Sequence, residues 1–128
     1  MTGMQAKATF TVDSWDEEHS ETVEGSTFGR ARLGKTFSGD VEGTSTAVLL
    51  TAATSVGPAA YTAQEWFSGT VDGRKGTFAS QHGAVSDTVE WTIVRGSGTG
   101  ELEGISGTAG LVVDDDGTHH FTLDYDLP

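Results

Sequence analysis

Apolar and polar residues alternate with a period of two along most of this chain, a pattern that predicts strands rather than helices. Ala6, Ala8, Phe10 and Val12 alternate with Lys7, Thr9, Thr11 and Asp13. Between Arg30 and Phe37 the residues Ala31, Leu33, Lys35 and Phe37 fall on one face, and Arg30, Arg32 and Thr36 on the other. Val89, Trp91 and Ile93 alternate with Thr88, Glu90, Thr92 and Val94, and Phe121, Leu123, Tyr125 and Leu127 with His120, Thr122, Asp124 and Asp126. Residues 44–54 are rich in Thr, Val and Leu. The run Val48-Leu49-Leu50 suits a strand covered on both faces, with a short buried helix as the alternative by periodicity alone. The acidic segment from Asp13 to Gly25 is weakly patterned and reads as a loop or frayed edge, with Trp15 covering one end of the fold.

The most informative stretch runs from Tyr61 to Ala84. Two alternating segments flank Asp72-Gly73, a dipeptide that readily takes the positive φ angles of a type I′ turn. With those two as loop residues, Phe67 pairs with Phe78, Glu65 with Ser80, Ala63 with His82 and Tyr61 with Ala84. All eight then share one face of the sheet. A carboxylate, a hydroxyl and an imidazole thus interrupt an otherwise core-like surface.

Gly57-Pro58, Ser86-Asp87 and Asp115-Asp116-Gly117 mark further turns. No stretch carries a sustained helical period with caps. About eight strands joined by short turns predict an all-β fold, an antiparallel barrel or sandwich, within one domain spanning residues 1–128. A closed barrel of about eight strands removes the free edges, and its interior can hold side chains plus one small ligand.

Glycine changes the picture further. The 18 glycines are spaced, and Gly39 to Gly43, Gly69 to Gly73 and Gly100 to Gly104 share the pattern G-x-[VL]-x-G, which suggests repeated hairpin-like units. Gly96 to Gly110 is denser in glycine, so the backbone there turns sharply. It is no phosphate loop: no lysine or helix pattern follows, and Glu101 and Glu103 repel phosphate.

Seven basic against nineteen acidic residues give a net charge of −12, which argues against nucleic acid or an anionic membrane as partner. No apolar run approaches the ~20 residues of a membrane span. The N-terminal segment lacks the apolar core of a signal peptide, so the expected address is the cytoplasm. The absence of cysteine removes disulfides, thiolate metal sites and cysteine nucleophiles, and favours binding or chemistry without a cofactor. Asp114 to Asp116 lacks the spaced ligands of a calcium loop, and His119 and His120 point to opposite faces, so no metal site is expected. Arg30, Arg32 and Lys35 read as partners of the acidic surface, with anion binding as the alternative.

The candidate chemistry lies on the hairpin. Glu65 in an apolar barrel is expected to have its pKa raised by desolvation, with a charged His82 beside it pulling it back, giving acid–base character near neutral pH. Tyr61, further along the same face, would donate a hydrogen bond to a bound molecule. Phe67, Phe78, Ser80 and Trp91 would line its site. Ser80, Glu65 and His82 also comprise the residue types of a hydrolytic triad, but no nucleophile elbow or oxyanion hole accompanies them. Equally, buried polar residues of a barrel often satisfy one another and fix register with no substrate involved. On the opposite face, Trp66 suits a subunit contact.

Tyr61-x-Ala-x-Glu65-x-Phe-x-Gly69, DGRKGTF (Asp72 to Phe78), Gln81-His82, Trp91 to Val94, GSGTGELEGISG (Gly96 to Gly107) and the closing HFTLDYDL resemble a bacterial family of small proteins, domain of unknown function 3224. The resemblance extends from FSGDVEGTS to the C-terminus and touches the N-terminal third only through TFTVDSW. It implies an allene-oxide-cyclase-like (calycin-like) β-barrel. The glycine-rich segment is also similar to that of plant allene oxide cyclases and dirigent proteins. Those relatives guide cyclisation or coupling of small apolar molecules without a cofactor and assemble as dimers or trimers; their catalytic residues have no counterparts placed on this sequence. Three functions are therefore expected: a cofactor-free isomerase or cyclase using Tyr61, Glu65 and His82; a non-catalytic, lipocalin-like carrier or sensor; or a filled barrel serving assembly. A small apolar ligand and a homodimer or homotrimer are the expected partners.

Overall fold

The computed structural model describes residues 1–56, 59–85 and 88–128. The expected turns at Gly57-Pro58 and Ser86-Asp87 lie outside the described residues. Eight strands close into an antiparallel barrel in simple sequence order: β1 (Met4–Val23), β2 (Ser26–Gly39), β3 (Val41–Thr54), β4 (Ala60–Val71), β5 (Arg74–Val85), β6 (Thr88–Ile93), β7 (Ser106–Val113) and β8 (His119–Asp126), with β8 returning to β1. The only helical element among the described residues is a 3-10 turn, Gly100–Leu102.

The β4–β5 register is the predicted one: Tyr61 pairs with Ala84, Ala63 with His82, Glu65 with Ser80 and Phe67 with Phe78. Asp72 (φ 48°) and Gly73 (φ 82°) make the positive-φ turn that sets it. Residues 44–54 form strand, not helix, but they are covered on one face only: Leu49 is buried and Leu50 is 59% exposed. The acidic segment after Asp13 corrects the sequence reading more plainly. It continues β1 to Val23, hydrogen-bonded to β2, with register shifts between Val12 and Ser14 and between Glu17 and His19. Its pairing with β8 ends at Phe10–His119, so beyond that point β1 is an edge strand, and carboxylates and bulges are what keep such edges from pairing further.

The three G-x-[VL]-x-G units occupy equivalent places, at the β2–β3, β4–β5 and β6–β7 connections on one end of the barrel. Their central residues Val41, Val71 and Leu102 are all fully buried and close that end. Gly43 and Gly69 face each other across β3 and β4, and a Cβ on Gly69 would sit 2.0 Å from the Glu42 carbonyl oxygen. Gly43 and Gly69 thus mark a place where two backbones pass too closely for a side chain.

Two apolar clusters fill the barrel. The larger lies toward the closed end and includes Phe10, Phe37, Phe67, Phe78, Trp91, Phe121 and Tyr125. The smaller, Leu33, Ala47, Leu49 and Ala63 with Tyr61 against it, lies toward the other end, which we call the mouth. Here β1 to β4 run on past the shorter β6 to β8.

Candidate functional site

A layer of buried polar side chains joins the two clusters: Lys35, Ser45, Glu65, Ser80 and His82. Strand alternation turns each of them inward, and the hairpin register brings β4 and β5 members together. Glu65 is its centre and is 3% exposed. Its Oε1 accepts from Lys35 Nζ at 2.8 Å and from His82 Nε2 at 2.7 Å, and its Oε2 accepts from the Ser45 hydroxyl at 2.7 Å. The Lys35 ammonium also lies 4.6 Å from the Phe10 ring centroid and 4.9 Å from that of Trp91, so aromatic faces solvate its remaining side. No buried side-chain polar atom among the described residues lacks a partner.

This geometry overturns the expectation for Glu65. Burial alone would raise its pKa, but the hydrogen bond from His82, the charge and hydrogen bond of Lys35 and the bond from Ser45 together outweigh it, holding the carboxyl at about 2. Glu65 is a fixed anion near neutral pH, not a proton donor or acceptor.

Its ionisation fixes the proton positions next to it. A carboxylate only accepts, so His82 Nε2 carries a hydrogen. In the neutral imidazole Nδ1 is then an acceptor, and it lies 2.9 Å from the Tyr61 hydroxyl. With His82 neutral, Tyr61 donates to His82, which donates to Glu65. The chain of hydroxyl, imidazole and carboxylate runs inward from Tyr61, which is half-buried and whose pKa is raised by burial and by the Glu65 charge.

The remaining sequence candidates fall elsewhere. Ser80 accepts from Trp91 Nε1 at 2.9 Å and is not bonded to His82, so no hydrolytic triad forms. Phe67, Phe78, Ser80 and Trp91 surround a void of only about 10 Å³, near the room one water needs. They pack the interior and leave no ligand-sized cavity there. Sequence reasoning left out Lys35 and Ser45 from the site. The signal was present for Lys35, which shares a face with Ala31, Leu33 and Phe37, all buried.

A second hollow is an open groove of about 420 Å³. Seven of its lining residues, Thr62, Gln81, Gly83, Val85, Thr88, Glu90 and Thr92, point outward by strand alternation, while Tyr61, His82 and Ala84 point inward and can reach it only through backbone atoms. It therefore lies outside the barrel, over Gly83, and is separate from the polar layer.

The mouth is different. Where β1 has lost β8, its inward side chains Val12 and Trp15 stand at an open flank, and Trp15 is 56% exposed rather than sealing an end. Val113 at the top of β7 also faces inward and is exposed. His119 stacks on Phe10 with 4.8 Å between ring centroids. Exposed apolar side chains on β1 and β7 thus flank the mouth, with Glu17 on the same face of β1, opposite Ala31.

The sequence matches the profile of the protein family of unknown function DUF3224 over residues 6–125. The chain belongs to this family. A crystal structure of a DUF3224 protein of unknown function from Shewanella oneidensis MR-1 is similar over 98% of both chains, with 31% identity and a TM-score of 0.90. No curated protein matches the sequence. Membership therefore extends the likeness across the whole barrel, including the N-terminal third that the DUF3224 motifs left almost untouched. No helix of this DUF3224 chain among the described residues is long and apolar enough to cross a membrane.

Proposed function

We propose that the protein binds a small, largely apolar molecule at its mouth and moves a proton on it through Tyr61, without a cofactor, as an isomerase or cyclase does. The observation that carries this reading is the Tyr61–His82–Glu65 chain. It starts at a half-buried hydroxyl toward the mouth and ends on a carboxylate that is ionised near neutral pH. A proton leaving the bound molecule goes to the Tyr61 oxygen as the Tyr61 proton passes to His82 Nδ1. The imidazolium so formed is offset by Glu65, and reversal returns the proton to a different atom of the molecule. Tyr61 is the group that touches the molecule; His82 holds the proton, and Glu65, Lys35 and Ser45 are positioning residues.

The experiment is substrate-neutral. Apolar ketones are screened by thermal shift, and those that bind are incubated with the protein in D2O. The reading expects deuterium to enter beside the carbonyl with wild type and to fall at least tenfold with Tyr61→Phe. Binding without exchange would leave the carrier or sensor reading instead. The small interior void favours a second reading, a barrel filled by its own side chains and serving assembly; failure of every ligand to bind would support it.

A further inference from the structure

The acidic residues of this chain are unevenly placed. Outward positions of β2 to β5 are occupied by Phe28, Arg30, Arg32, Gly34, Thr36 and Ser38, by Ala52, Leu50, Val48, Thr46, Thr44 and Glu42, and by the corresponding residues of β4 and β5 as far as Lys75. Of the chain's 19 acidic residues only Glu42, at the closed end, falls on this face, whereas Arg30, Arg32 and Lys75 do. The face also gathers exposed apolar side chains: Phe28, Leu50 and Val85, with Trp66 45% exposed near its middle and Arg32 5.9 Å above the Trp66 ring.

We infer that a second copy of this chain docks here, through a two-fold contact centred on Leu50 and Trp66. Two molecules of charge −12 repel at most orientations, and this is the broad surface where they can meet without setting carboxylate against carboxylate. An acidic partner is the poorer fit, because Arg30 and Arg32 already face Glu18 of the same chain at 3.7 and 4.0 Å. A two-fold axis along the strands between β3 and β4 lays β2 of one copy over β5 of the other. Arg32 then meets Gln81 and Arg30 meets Gly83, so the arginines do not meet each other. Exposed aromatic and aliphatic anchors at the centre with amides and hydroxyls around them are the usual make-up of such a contact. The groove over Gly83 lies at the β5 margin of the same face.

Sedimentation velocity tests this directly. Wild type is expected to sediment as a dimer at 100 µM, and Leu50→Lys or Trp66→Lys to sediment as a monomer at that concentration with an unchanged far-ultraviolet spectrum. Val112→Lys, on the outer face of β7, should leave the dimer intact. A wild-type monomer at 100 µM, or an oligomer indifferent to both central substitutions, would overturn the inference. Ligand binding at the mouth plays no part in either outcome.

Discussion

Glu65 Oε1 accepts two hydrogen bonds at once, from Lys35 Nζ and from His82 Nε2. One oxygen therefore anchors β2, β4 and β5 to each other inside the barrel. Glu65→Gln keeps the shape but leaves a buried ammonium without its counter-charge. The substitution is expected to cost on the order of 3–5 kcal/mol, read from chemical denaturation, while Lys35→Met with Glu65→Gln together should recover much of that loss. Glu65→Gln is thus a stability variant first, and Tyr61→Phe is the cleaner probe of chemistry.

Acid should undo the same layer. Glu65 titrates lower in the folded protein, at about 2, than its ordinary value of 4.5. A depressed pKa contributes stability that is present above the unfolded value and is lost as pH falls toward the folded one. Stability should therefore fall between about pH 4.5 and pH 2, by on the order of 3 kcal/mol from this group. In the Lys35→Met, Glu65→Gln double variant that part of the decline should be absent in urea titrations across the same range.

Much of this was legible beforehand, and the reasons are local. Asp72-Gly73 admits one tight turn, so the register of β4 and β5, and with it the meeting of Glu65 and His82, followed from counting. Lys35 was also on the correct face by alternation, but a lysine is rarely fully buried, and nothing near it in sequence pointed to its partner thirty residues on. The extension of β1 was hidden because an edge strand protected by carboxylates has no apolar period. The filled interior depends on how Phe67, Phe78, Trp91 and Phe121 interlock, which only the closed barrel determines.

At the closed end the Tyr125 hydroxyl donates to the Asp72 carboxylate, and burial, that bond and the Asp72 charge push Tyr125 up to about 12. A raised tyrosine favours the folded state below its ordinary value of 10, and that advantage is lost as pH rises from 10 toward 12. Asp72→Asn keeps a side chain tolerant of positive φ but removes the charge. Absorbance titration at 295 nm should show one tyrosine moving down toward 10 in that variant.

The close passage of β3 and β4 at Gly43 and Gly69 predicts an outsized penalty for a single methyl. Gly69→Ala is expected to cost about 3 kcal/mol or more, beyond the usual range for overpacking at a yielding site, since the obstacle is backbone. Gly117→Ala, where nothing lies within 4 Å of the added atom, should cost only the positive-φ strain, about 1 kcal/mol. Thermal unfolding of the two variants side by side gives the comparison.

Binding at the mouth is the claim on which the functional reading stands, and a fluorescence titration with the neutral apolar dye Nile red tests it most directly. Saturable binding at one site per chain is expected, weakened at least tenfold by Trp15→Glu and unchanged by Val112→Glu on the outer face. Absence of saturable binding, or a Trp15→Glu variant that binds as wild type does, would contradict it.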